Sequence, residues 1–270
     1  MNKTFDIQEF QNRLQTGWLG SEVLYEESLP STNTYLKRIP AKQFCHGVLA
    51  IAEHQTEGRG QYDKKWETEP SANLTFTLGF RPSSADRITL LTLMCAYAIQ
   101  KALEPYLDMP IKLKWPNDII AADKKIGGIL TECMFYGKIP ERVMIGIGLN
   151  VNQTVFSPQV DQVATSVALL SKKISREKLL ADILTHVEQL YTRWHKQDET
   201  LHQEINRQII GFGKWIKLQI DGEVKEKSYK FLGINNKGQC LVLNEELDVN
   251  TFSHEQIRII TDRTPVSRAD

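Results

Sequence analysis

The chain has 270 residues, 33 Lys+Arg against 33 Asp+Glu, 41% hydrophobic and 24% charged residues. That length is enough for one large core plus a smaller appended unit, and the composition is that of an ordinary globular protein. A formal net charge of zero excludes a global field that would gather nucleic acid or anionic lipid, so any anion binding must come from local residues.

The start, Met1 to Trp18, is polar and helix-like and lacks the apolar run of a signal peptide; a short helix is predicted over Phe5–Leu14. Val23–Tyr25 reads as a strand and Ser31 as the N-cap of a helix through Tyr35 and Leu36. Val48–Ala52 is an apolar strand that ends in a polar, glycine-bearing loop, Gln55–Lys65, closed by Trp66. Leu74, Phe76, Leu78 and Phe80 alternate with polar or small residues, the pattern of a half-buried strand. Asp86 then caps a long helix in which Leu91, Met94, Cys95, Ala98 and Ala102 share a face. The longest apolar stretch, Ile88–Ile99, falls well short of the ~20 residues that cross a bilayer.

Strands follow at Ile111–Lys114, Lys125–Thr131 and Val143–Val151, and a second long helix over Arg176–Lys196 turns Leu180, Ile183, Leu184, Val187, Tyr191 and Trp194 inward. Beyond Gly211 come short β-prone runs at Trp215–Ile220, Lys227–Leu232, Gln239–Leu243 and Ile257–Ile260, separated by Asp221-Gly222, Asn235-Asn236-Lys237-Gly238 and Asn244. The pattern predicts a mixed α/β unit over 1–210, a small antiparallel barrel over 211–262 and a disordered tail over 263–270. Cys45, Cys95, Cys133 and Cys240 are scattered, which excludes a C-x-x-C metal or redox motif and suits a reducing, cytoplasmic setting.

Four segments could carry chemistry. Gly58-Arg59-Gly60-Gln61 places an arginine between glycines, where backbone can approach a ligand while the guanidinium grips a carboxylate or phosphate; the same residues also suit a plain surface turn. Lys114-Trp115-Pro116-Asn117-Asp118 sets a cation, an amide and a carboxylate around a proline turn, as polyphosphate or ribose contacts would need, or as a simple β-turn would. Lys125-Ile126-Gly127-Gly128-Ile129 opens an apolar strand with a cation beside two glycines: a gap for a buried carboxylate, or a hairpin with a bulge. Gly146-Ile147-Gly148-Leu149-Asn150 clears one face of a strand, for a flat ligand or for a closely packed helix, and its spacing is not that of a dinucleotide-binding loop.

In this order, with Ser31-Thr32-Asn33 upstream and a barrel downstream, these motifs closely resemble the biotin protein ligases over about Val23 to Ile260. The resemblance implies an α+β fold: a mixed sheet flanked by helices, like the class II aminoacyl-tRNA synthetases, with an SH3-like barrel behind it. It implies that Ser31, Thr32, Asn33, Gln55, Gly58, Arg59, Gly60, Gln61, Lys125, Gly128, Ile129, Gly146 and Gly148 bind biotin. Trp66, Lys114, Asn117, Asp118 and Asn150 would surround ATP, with magnesium as its counter-ion and no dedicated protein metal site. Arg59, Lys114 and Lys125 would supply catalytic charge, and Asp118 would receive the acceptor lysine of a biotin carboxyl carrier domain. The loop is less basic than in many relatives, with Gln61, Tyr62 and Asp63 in it, so faster leakage of the adenylate is expected. About 22 residues precede the first strand, too few for a DNA-binding winged helix; no DNA or membrane partner is expected, and a homodimer is possible. A lipoate ligase is the nearest rival enzyme, and a non-catalytic ligand sensor the rival of another class.

Overall fold

A computed structural model describes residues 3–61 and 64–260. Tyr62, Asp63 and the tail beyond Ile260, to which a disordered end was assigned above, lie outside the described residues.

Seven strands form one mixed sheet in the order β1-β2-β3-β7-β6-β5-β4. They are β1 (Val23–Leu29), β2 (Val48–Gln55), β3 (Leu74–Phe80), β4 (Ile111–Lys114), β5 (Asp118–Ala121), β6 (Lys124–Tyr136) and β7 (Ile139–Leu149). Only the β1–β2 pair is parallel. A helix, α2 (Thr32–Arg38), joins β1 to β2 and lies on one face. On the other face pack α3 (Ile88–Leu103) and α5 (Arg176–His195), with α1 (Ile7–Arg13) against α5. The core between them holds Phe76, Leu78, Leu91, Ile145, Leu149, Ile183 and Val187, all shielded from solvent.

The chain then forms α4 (Val167–Leu170), α5 and α6 (Leu201–Asn206), and a C-terminal antiparallel half-barrel. Its strands are β8 (Trp215–Ile220), β9 (Glu223–Val224), β10 (Tyr229–Ile234), β11 (Cys240–Leu243), β12 (Val249–Phe252) and β13 (Ile257–Ile260). The half-barrel is bonded to the main unit: Asn206 exchanges two hydrogen bonds with the backbone of Ile234, and Trp115 Nε1 donates to Gly238 O at 3.1 Å. Phe231, Val242 and Leu218 belong to the same contiguous apolar core as α3 and α5.

Several expectations need correction. β3 is buried on both faces, because Thr75 lines a cavity and Thr77 bonds to Thr32 and Asn33 of α2. Arg87, not Asp86, occupies the N-cap of α3, and Asp86 accepts a bond from Ser84 Oγ instead. The helix α3 is buried around most of its circumference, since β-strands, α5 and α6 enclose it. Ser31 does sit at the N-cap of α2, yet makes no side-chain capping bond. Asp118 is not in the turn but starts β5, which with α4, α6, β9 and β12 is too short to carry a clear periodic signal.

One buried ion pair ties the N-terminal segment to the sheet. Arg176 Nη1 lies 3.0 Å from Glu53 Oε2, both side chains 5% exposed, and Arg176 also donates to Asn73 O and Lys3 O. Burial pushes the Glu53 carboxyl up, but bonds from Arg176 and from the Phe5 N–H outweigh it and hold the group below its ordinary value.

Candidate active site

Register, more than sequence proximity, assembles the site. Directly opposed residues in neighbouring strands point to the same face. Thr75 of β3 opposes Gly148 of β7, which opposes Gly128 of β6, which opposes Asp118 of β5, which opposes Lys114 of β4. One row across five strands thus carries a hydroxyl, two glycines, a carboxylate and an amine. The parallel row, Thr77–Gly146–Leu130, lies next to it beneath α2.

Above these rows is a cavity of about 280 Å³. Its lining includes Ser31, Thr32, Asn33, Gln55, Arg59, Gly60, Gln61, Trp66, Asn117, Asp118, Lys125, Gly128, Ile129, Gly146, Gly148 and Asn150. Lys114 and Gly58 are not in that lining. Lys114 stands one strand further out, beside Asp118, and Gly58 sits at the base of the loop against Trp66, where a Cβ would fall 2.6 Å from Trp66 O. The lining also contains residues that sequence reasoning missed: Thr75, Phe156, Val160 and Val163, and Arg258 from β13 of the half-barrel. The alternation of Thr75 and Thr77 with Leu74, Phe76 and Leu78 was visible, but it reads equally as a solvent face.

The Lys125 segment forms a hairpin with a bulge, one of the two alternatives weighed above. A tight turn at Ala122-Asp123, both at positive φ, joins β5 to β6, and the register slips between Ile119 and Ile120. That bulge lets Ile126 enter the core while Lys125 faces the cavity. Lys125 Nζ then pairs with Asp118 Oδ1 at 2.5 Å and lies 5.5 Å from the centre of the Trp66 ring. A Cβ on Gly128 would meet Lys125 Cε at 2.8 Å, so a larger residue there would push the end of the lysine away from Asp118.

The glycines of β7 line the cavity and also receive two side chains above the sheet. A Cβ on Gly146 would fall 2.4 Å from Asn33 Oδ1, and one on Gly148 2.3 Å from the Trp66 indole. They seat two side chains on the sheet. Asn33 is fully committed: Nδ2 donates to Leu130 O at 3.1 Å and to Glu132 Oε2 at 2.9 Å, while Oδ1 lies 2.7 Å from Thr77 Oγ1. Gln55 Oε1 accepts from the backbone N–H and the hydroxyl of Thr32. Asn117 staples β5 to β6 through Ile129, donating from Nδ2 and accepting at its carbonyl.

Among the described residues, the lining's buried donor Trp66 Nε1 and acceptor Asn150 Oδ1 have no hydrogen-bond partner, and Asp118 Oδ1 has only its ion pair with Lys125. Unpaired buried groups are costly, so their presence in a cavity marks where a ligand with complementary groups would be held. Lys114 is held below the ordinary lysine value, first by burial and then by the like charges of Lys125 and Lys64, with Asp118 opposing. Among the described residues no His, Cys, Asp and Glu cluster could hold a metal ion, and no helix is long and apolar enough to cross a membrane.

Residues 25–150 match the family model described as the biotin/lipoate A/B protein ligase family. The chain is 32% identical over 244 residues to the bifunctional ligase/repressor BirA of Bacillus spizizenii, covering 88% of this chain and 74% of that one. It is 28% identical to the biotin–[acetyl-CoA-carboxylase] ligase of Mycobacterium tuberculosis, over 77% of each chain. In fold it is similar to the biotin protein ligase from Aquifex aeolicus in complex with biotin and ATP, with a TM-score of 0.77, 24% identity, and coverage of 89% of this chain and 99% of that one.

Proposed function

The chain belongs to the biotin protein ligase family, and from that premise we propose that it joins biotin to ATP and passes the biotin to a lysine of a biotin carboxyl carrier domain. The observation that carries the reading is the convergence of Arg59 and Lys125 on one cavity that also holds an unpaired buried donor and acceptor. Two cations at a half-enclosed site can hold a carboxylate against a phosphate, which in water would repel each other.

In the first half-reaction the biotin carboxylate oxygen attacks the α-phosphorus of ATP, and the bond to the bridging oxygen breaks to release pyrophosphate. In the second, a lysine amine attacks the acyl carbon, AMP leaves with the bonding electrons, and the amine loses a proton. Neither step needs a nucleophile from the enzyme, so catalysis rests on positioning and on charge. Lys125 and Arg59 would offset the negative charge gathering on phosphate. Lys114, beside Asp118, would add to the same field from its half-buried place. Asp118, freed from Lys125, would orient the incoming amine. Trp66 and Asn150 would take the nucleotide, their unpaired Nε1 and Oδ1 meeting its acceptors and donors.

Magnesium fits this site only as the triphosphate's companion. Such ions keep several waters and bind through one or two carboxylates plus phosphates, and the cavity provides the carboxylates of Asp118 and Glu67. When bound, the ion would neutralise the departing pyrophosphate. We take Gln61, which lines the cavity, as leaving the loop short of positive charge, so free adenylate should accumulate without acceptor faster than from a more basic loop. The direct test is pyrophosphate release with ATP and either biotin or lipoate. Release with biotin alone is expected; release with lipoate alone would transfer the assignment to the lipoate branch, and release with neither would leave a binding protein.

A further inference from the structure

Glu132 lies on β6 two and four residues beyond Leu130 and Gly128, on the same face of the strand, and is not among the residues assigned to biotin or ATP above. A carboxylate at the rim of a site for two anions should repel both substrates. Its contacts show how that repulsion is offset. Arg59 Nη2 lies 3.2 Å from Glu132 Oε2, 3.5 Å from Oε1 and 3.1 Å from Thr34 Oγ1. The same Oε2 accepts from Asn33 Nδ2 at 2.9 Å. One carboxylate therefore binds the loop cation and the amide that sits on Gly146. The Glu132 side chain is 22% exposed and that of Arg59 45%, so solvent screening leaves the pair little to contribute to folding. Stability does not account for it.

We propose that Glu132 is a positioning residue of the ligase reaction, setting Arg59 of the loop and Asn33 of the pocket floor in register with one another through a single carboxylate. The inference rests on the function proposed above. An arginine on a glycine-flanked loop has many rotamers to lose on meeting a ligand. Anchoring one edge of its guanidinium in advance removes part of that loss and holds the loop over the cavity before biotin arrives. The anchor reaches Asn33, whose other bonds run to Leu130 and Thr77, so loop and floor are aligned together.

Two variants separate the contributions. Glu132→Gln keeps an acceptor for Asn33 but removes the charge that holds Arg59; Glu132→Ala removes both. Pyrophosphate release should show KM for biotin raised about tenfold by Glu132→Gln with kcat within about twofold, and kcat/KM lowered about a hundredfold by Glu132→Ala. In an Arg59→Ala background Glu132→Gln should change KM by less than about twofold, because the partner through which it acts is gone. A readout that needs no turnover is trypsin cleavage after Arg59 in the ligand-free protein, followed by fragment mass. Release of the side chain in Glu132→Gln should speed that cleavage severalfold at an unchanged melting temperature. Independent, multiplying effects of Arg59→Ala and Glu132→Gln, or unchanged KM and cleavage in Glu132→Gln, would overturn the proposal. Wild-type protein inactive with biotin would instead overturn the ligase reading, while the cleavage rate would still decide whether Glu132 holds the loop. If Glu132→Ala fails to fold, the glutamine variant alone carries both arms.

Discussion

The two faces of the seven-stranded sheet come from the same strands but follow different packing rules. Facing α3 and α5, β3 and β7 present Phe76, Leu78, Ile145 and Leu149, which interlock with helix side chains and exclude water. Facing α2, the intervening residues are Thr75, Thr77, Gly146 and Gly148, and the space over them holds Asn33, Trp66 and the cavity. Removing a methylene from the first face opens a void; adding a methyl to the second displaces a bonded side chain. The large apolar face can therefore sustain the fold while the other keeps cations, amides and unpaired atoms at energies a lone layer could not support.

Substitutions on each face should separate accordingly. Phe76→Ala on the packed face should cost about 3–5 kcal/mol of stability, read by denaturant unfolding, with little change in KM for biotin in protein that stays folded. A large KM change would mean that the two faces are coupled. Gly146→Ala should act in the opposite sense: Asn33 must move from a contact of 2.4 Å, and misplacing its network should lower kcat/KM for pyrophosphate release about a hundredfold with a smaller loss of stability.

A finer probe is Lys114. Its folded-state value lies below that of an ordinary lysine, chiefly through burial, so it sheds its charge at lower pH than a solvated lysine would. If its cation supports adenylation, activity should fall as pH rises through that lowered value. Lys114→Arg, which stays charged, should move the alkaline limb upward; an unmoved limb would remove Lys114 from the chemistry. The smallest effect is expected at Ser31. A bonded N-cap serine is worth about 1 kcal/mol, but Ser31 makes no capping bond, so Ser31→Ala should change stability by under about 0.5 kcal/mol. Because Ser31 lines the cavity, biotin affinity is where its loss should register.

Much of the fold was legible because its longer elements carry strong periodic signals. The helix over Arg176–His195 differs from its expected span by one residue at its end, and the strands that begin at Val23, Val48 and Leu74 start where expected. The shorter elements were lost, since four residues of β5 or β12 carry too little pattern to stand out from a turn. At the site, the motifs located Arg59, Asp118, Lys125 and the paired glycines along the chain. They did not tell a solvent-facing threonine from a buried one, which left Thr75 and Thr77 unread, nor connect Glu132 to Arg59 across 73 positions.

By itself the sequence determined the periodicities, the turn chemistry and an order of charged and glycine-bearing motifs, all of them properties of residues near one another in the chain. Tertiary structure decided which of those residues share a face. Strand register is a long-range quantity, and a slip of one position reverses every side chain, as the bulge before Gly127 shows by turning Lys125 toward Asp118 and Ile126 into the core. Only the folded sheet could place Thr75, Gly148, Gly128, Asp118 and Lys114 in one row, because the register of the successive hairpins β4 to β7 and the long-range pairing of β3 with β7 must both be set.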